Sequence, residues 1–395
     1  MSLLTEVLGK YDTPQKIKDM GVYPYFRPIE SDQDTVVTIA GKRVLMFGSN
    51  SYLGLTNHPA LKEASIKAIE KYGTGCAGSR FLNGTLDIHL ELEERLAKLV
   101  NKPAALVYAT GFTVNSGVIP CLTGREDYLI FDELDHASII EGKRLSFSKT
   151  LKYKHNDMDA LEKLLQKCDY DKVKVIVSDG VFSMEGDIAL LPEMVVLSKK
   201  YNASIMIDEA HSLGVFGKTG AGICEHYNLS DDVDVIGGTF SKSLGTIGGF
   251  VAADESVINF LKHNSRTLIF SASITPASTG CVLAALDVME HETWRKDALW
   301  ANTERAKAGF LKAGFEIGPT QSPIIPLFIR DNMKTFAITH TLMDDGVFVN
   351  PVVSPAVPSE DSLLRYSLMA THTFDQVDES VEKIAKAARA LGIIA

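Results

Sequence analysis

Between residues 105 and 252 the chain repeats one pattern, a short β-branched or apolar run followed by a segment of helical period. The runs fall at 105–109, 128–131, 173–178, 204–207, 233–236 and 249–252, and the helical stretches between them include 159–166 and 192–201. Strands that alternate with helices pair in parallel through crossovers. The pattern therefore predicts an α/β fold with a mainly parallel central sheet and ligands at the strand C-terminal ends.

From residue 276 onward the pattern changes to long helical stretches, then apolar runs at 324–329 and 363–368, and a closing amphipathic helix over 375–390. This predicts a smaller α+β domain. The first 45 residues contain Pro24, Pro28 and a hairpin signal at Ala40-Gly41-Lys42, and are too few for a core of their own. The expected division is an N-terminal segment 1–45 that packs on the C-terminal part, a large α/β domain 46–275 and a small domain 276–395. Repeats and low-complexity linkers are absent, so the domains interleave rather than hang on a tether.

Composition narrows the class of partner. Fifty acidic against 40 basic residues give a net charge of −10, which repels phosphate backbones and excludes nucleic acid as an expected ligand. The five cysteines, at 76, 121, 168, 224 and 281, show no C-x-x-C spacing, so neither a disulfide framework nor a zinc site is expected. No apolar run approaches the roughly 18 residues of a membrane span, and the N-terminus lacks the basic and apolar regions of a leader. These features predict a cytoplasmic protein without a metal.

Three familiar motifs fail on inspection. Gly73-Thr74-Gly75-Cys76-Ala77-Gly78 matches the dinucleotide fingerprint but follows a helical run, 60–72, where a strand is required. Gly217-Lys218-Thr219 resembles the end of a phosphate-binding loop, yet Ser212 stands where its first glycine belongs. His291-Glu292 begins a zinc motif whose second histidine is replaced by Arg295.

Two segments carry more chemistry. Ile205-Met206-Ile207-Asp208-Glu209-Ala210-His211 is a buried-strand pattern that ends in an acid, with a histidine three residues later. Gly237-Gly238-Thr239-Phe240-Ser241-Lys242-Ser243 directly follows another strand and sets a lysine among small hydroxyl residues. Three further segments are collinear with them: Asn50-Ser51-Tyr52-Leu53-Gly54-Leu55, Asp135-His136-Ala137-Ser138 and Asp179-Gly180-Val181-Phe182-Ser183-Met184-Glu185-Gly186-Asp187. On these five segments the chain resembles, over nearly its whole length, the α-oxoamine synthase family of fold-type I pyridoxal phosphate enzymes. Gly75-Cys76-Ala77-Gly78-Ser79-Arg80-Phe81-Leu82-Asn83-Gly84-Thr85 and Gly21-Val22-Tyr23-Pro24-Tyr25-Phe26 are most similar to the bacterial branch that joins L-serine to a long-chain acyl-CoA.

The resemblance implies a role for each residue. Pyridoxal 5′-phosphate would be held covalently by Lys242, with Asp208 on its pyridine nitrogen, His211 on its phenolic oxygen and His136 stacked on its face. The phosphate would take the amides of Gly111 and Phe112 and the hydroxyls of Thr239 and Ser241. Ser271 and Ala272 match a segment that reaches the phosphate of a neighbouring subunit, which implies a homodimer with shared active sites. Arg365 would clamp the amino-acid carboxylate, assisted by Asn50 and Ser183, the latter also beside the cofactor. An isolated histidine is more often a satisfied structural residue, so His89 and the other histidines outside the motifs keep that reading.

The implied reaction is a decarboxylating condensation of L-serine with palmitoyl-CoA to 3-ketodihydrosphingosine, the first step of sphingolipid synthesis. Glycine C-acetyltransferase and 8-amino-7-oxononanoate synthase share the same core residues. An aminotransferase shares the fold, and a non-catalytic partner subunit would be expected to lose Lys242. Peripheral contact with a membrane, to collect long-chain thioesters, stays open.

Overall fold

The computed structural model describes residues 2–354 and 356–395. It divides the chain into two units, residues 50–300 and residues 1–49 with 301–395.

The larger unit is built on seven strands: β3 (Ala104–Tyr108), β4 (Tyr128–Asp132), β5 (Lys149–Tyr153), β6 (Lys174–Asp179), β7 (Ser204–Asp208), β8 (Val235–Thr239) and β9 (Gly249–Ala253). Their order is β3-β9-β8-β7-β6-β4-β5, parallel throughout except for β9, which runs antiparallel to both β8 and β3. Strands β4, β6, β8 and β9 are buried at every residue, the signature of a sheet covered on both faces. One core cluster joins Leu106, Leu129, Val175, Met206, Val235 and Val251 of the sheet to Val114 and Val118 of the helix Gly111–Leu122.

The helix Pro276–His291 packs against the helix Pro59–Tyr72, close enough that a Cβ at Gly280 would lie 2.9 Å from the Ala64 carbonyl oxygen. That packing places residues 276–300 with the larger unit, so the division falls at 300/301 rather than the expected 275/276. At the other end it falls at 49/50 rather than 45/46.

The smaller unit contains two three-stranded sheets. In one, β1 (Val36–Ile39) and β2 (Lys42–Met46) form the hairpin and β11 (Val347–Phe348) joins β2 in parallel. In the other, β13 (Leu363–Ser367) lies between β10 (Ile324–Phe328) and β12 (Asn350–Val352), all antiparallel. The closing helix, Phe374–Ala390, starts at a capping box of Thr373 with Gln376 and buries Val377, Ile384 and Ala388 on one face.

Candidate active site

Because β4, β6, β7 and β8 run parallel, their last residues reach one edge of the sheet. Asp208 at the end of β7 is the register partner of Asp179 on one side and Gly237 on the other. Gly249 of β9 is the register partner of both Tyr108 and Thr239, which sets the turn after β3 beside the turn after β8. A cavity of ≈ 370 Å³ opens at this edge. Gly111, Phe112, His136, Asp208, His211, Thr239, Ser241 and Lys242 all line it, together with Ser138 and Asp179.

At one end stands the N-terminus of the helix Gly111–Leu122. Thr110 caps it, its Oγ1 accepting from the Thr113 amide at 3.0 Å while Thr113 Oγ1 accepts from the Thr110 amide at 3.1 Å. The amides of Gly111 and Phe112 are the next donors of this turn, and such a terminus is suited to an anion. Gly111 is required here by close approach, since a Cβ would lie 2.6 Å from Thr239 Cβ and 2.7 Å from its Oγ1. The Thr239 and Ser241 hydroxyls lie 3.0 Å apart across from it.

Asp208 is buried and held in one orientation. Its Oδ1 accepts from the Ala210 amide at 2.9 Å, and its Oδ2 accepts from Asn115 Nδ2 at 2.6 Å. Asn115 Nδ2 also donates to Ser138 Oγ at 2.9 Å, whereas its Oδ1 is buried with no hydrogen-bond partner among the described residues. Lys242 lies in the turn between β8 and β9, half-buried.

His136 caps the helix Ala137–Leu145. Its amide donates to Asp179 Oδ2 at 2.7 Å and its Nδ1 lies 2.8 Å from Ser138 Oγ. The ring faces the open cavity, but the protein packed around it pushes its pKa down, with Asp208 opposing and Lys242 adding to the effect. Burial, reinforced by the Asp208 charge, holds the Asp179 carboxyl well above the usual range. His211 is buried, with Nδ1 2.7 Å from the Tyr52 hydroxyl.

The remaining expected residues lie elsewhere. Asn50 and Ser183 are half-buried in the larger unit and do not line the cavity. Ser271 is half-buried and Ala272 exposed, in the segment that precedes the helix Pro276–His291. Arg365 belongs to the smaller unit, buried in β13, where it donates to Ser367 Oγ at 2.7 Å. The sequence reading assigns no role to Asn115, Tyr52 or Asp179, which hold the three principal groups. Tyr52 and Asp179 sit inside segments that carry the resemblance. Asn115 lies in none of them.

These parts fit a planar aromatic phosphate. The helix terminus and two hydroxyls suit the anion, a fixed carboxylate suits a ring nitrogen, and an amine and two imidazoles line the same cavity. A family model described as aminotransferase class I and II matches residues 42–384. The chain belongs to the class I and II aminotransferase family.

Within that family it is 61% identical over 394 residues to a serine palmitoyltransferase of Bacteroides thetaiotaomicron, with 100% of both chains covered. An 8-amino-7-oxononanoate synthase of Treponema denticola is 41% identical over 382 residues, 96% of both chains. A solved structure described as SPT with PLP matches at a TM-score of 0.96 and 34% identity, with complete coverage of both chains.

Proposed function

We propose that this chain is a pyridoxal-phosphate-dependent acyltransferase that condenses L-serine with palmitoyl-CoA, releasing CoA and CO2 and giving 3-ketodihydrosphingosine, the first step of sphingolipid synthesis. The observation that carries the cofactor chemistry is the placement of Lys242 and Asp208 on one cavity that ends at the Gly111 helix terminus. The substrate pair rests on the 61% identity to serine palmitoyltransferase over the full chain, against 41% to an oxononanoate synthase.

When bound, pyridoxal phosphate supplies an electron sink for negative charge at the Cα of the amino acid. Lys242 would hold it through Nζ, and the same nitrogen would take the proton from the serine Cα. Asp208, fixed by Asn115 and the Ala210 amide, keeps a proton on the ring nitrogen. The amides of Gly111 and Phe112, with the Thr239 and Ser241 hydroxyls, bind the phosphate and so set the ring's position. His211, oriented by Tyr52, binds the phenolic oxygen.

His136 would cover the ring and, with its pKa held down, would present a neutral imidazole near the reacting carbonyls. Arg365 would clamp the serine carboxylate, with Asn50 and Ser183 assisting, and so orient the bond to be broken at Cα.

The active form is a homodimer in which Ser271 and Ala272 complete the partner's phosphate site. Supporting this, Phe270, Phe81 and Leu82 are 74%, 51% and 75% exposed. Their two loops are joined where the Ser273 amide donates to the Gly78 carbonyl at 3.0 Å, which gives this region exposed apolar side chains that a second copy would cover. Among the described residues no helix is long and apolar enough to cross a membrane. The protein works in the cytoplasm.

An amino-acid screen against acetyl-CoA and palmitoyl-CoA, reading CoA release, tests the substrate pair. Serine with palmitoyl-CoA should be turned over most efficiently. Preference for glycine with acetyl-CoA would make the enzyme a glycine C-acetyltransferase.

A further inference from the structure

Linked by hydrogen bonds to the turn that carries His136 is a largely buried charged network that the reaction above does not use. His155 stands just beyond β5 with a carboxylate at each ring nitrogen: Nδ1 is 3.0 Å from Asp132 Oδ1, and Nε2 is 2.7 Å from Asp187 Oδ2. A neutral imidazole has one N–H and would turn its lone pair toward one of these anions, so the geometry calls for a doubly protonated ring. Its ring also packs edge to face with Phe182, with centroids 4.3 Å apart.

Each of the two aspartates belongs to a segment of the site. Asp132 ends β4 and its Oδ1 accepts from the Leu134 amide at 2.9 Å, while its own amide donates to Asp135 Oδ2 at 3.0 Å. Asp135 Oδ1 then accepts from the Asp179 amide at 3.0 Å, and Asp179 Oδ2 accepts from the His136 amide. Asp187 closes the loop that carries Ser183, since the Phe182 amide donates to the Asp187 carbonyl at 3.0 Å.

We propose that His155 is a positioning residue for the condensation: clamped as an imidazolium between Asp132 and Asp187, it holds in one register the turn that carries His136 and the loop that carries Ser183. Burial works against this charge, but hydrogen bonds and attraction from both aspartates push the His155 pKa up to about 10. Its charge faces Asp132 and Asp187, and acts on Glu185 nearby. Of the acids further along the chain of contacts, Asp135 is held well above the usual carboxylate range by burial and repulsion from Asp179 and Asp132, and Asp179 by burial and repulsion from Asp208, with Lys242 opposing.

The roles of His136 and Ser183 rest on the function proposed above, but the clamp itself does not, and the test separates the two. Nitrogen-15 spectra of histidine in the cofactor-free full chain should show both His155 nitrogens protonated at pH ~7.5, well above the usual histidine range. A neutral tautomer there overturns the proposal.

In His155→Asn the His136 ring resonances should move, and kcat should fall about tenfold or more with KM for acyl-CoA changed less than about twofold. If His155→Asn does not fold, Asp187→Asn provides the same two readings. Unmoved His136 resonances in a folded variant contradict the clamp whatever the activity. A wild-type chain that does not condense serine contradicts the proposed function and leaves the spectra to decide the clamp.

Discussion

Asp208 carries the steepest requirement of any single residue, because a carboxylate useful to a ring nitrogen has to be both ionised and immobile. Its two donors, Asn115 and the Ala210 amide, supply the second condition. Asp208→Asn should lower turnover about a hundredfold, equivalent to ~3 kcal/mol for the loss of a charge-assisted pair in a desolvated site, while retaining some cofactor. Near-normal steady-state turnover would remove Asp208 from the mechanism. Asn115→Ala leaves one carboxylate oxygen without its donor, and the ~1.5–3 kcal/mol lost should appear as a ten- to hundredfold fall in kcat. Lys242, Asp208 and His211 are legible in the sequence because each lies inside a short local pattern at a strand end. Asn115 is not, because it meets Asp208 across 93 residues of chain from a helix whose sequence reads as ordinary apolar packing.

At the scale of elements, the cavity depends on how closely the Gly111 helix approaches β8. In Gly111→Ala the new Cβ would crowd Thr239, so cofactor affinity measured by fluorescence titration should fall about tenfold or more with the fold intact. The His155 clamp adds a pH signature with a definite sign. A histidine raised from 6.5 to about 10 contributes stability that is fully present below pH ~6.5 and lost as pH rises through its folded pKa. The gap in melting temperature between wild type and His155→Asn should therefore be widest near pH ~6 and narrow toward pH ~10. The raised carboxyls of Asp135 and Asp179 share that sign and occur in both proteins. Six strands of the large sheet are visible as apolar runs. The seventh, β5, is not, since Lys149-Thr150-Leu151-Lys152-Tyr153 is an edge strand whose polar side chains face water. The same holds for β11 and β12, which are two and three residues long and give no periodicity to read.

For the whole molecule, two interleaved units follow from the change of pattern late in the chain, whereas their boundary does not. The helix Pro276–His291 looks like the start of a new domain in sequence, and only its packing on Pro59–Tyr72 assigns it to the larger unit. If the exposed Phe81, Leu82 and Phe270 form a dimer face, dilution to monomers should release cofactor in step with dissociation. A monomer that keeps both cofactor and full activity would contradict the shared site.

The claim that ties the scales together is that the chain joins serine to an acyl group and expels the serine carboxyl. Serine labelled with carbon-13 at its carboxyl, incubated with the holoenzyme and palmitoyl-CoA, tests it most directly. The account predicts labelled CO2 in equal amount to released CoA, with unlabelled 3-ketodihydrosphingosine as the other product by mass spectrometry. Label retained in a 2-oxo acid, with the amino group transferred to an acceptor and no CoA released, would contradict it.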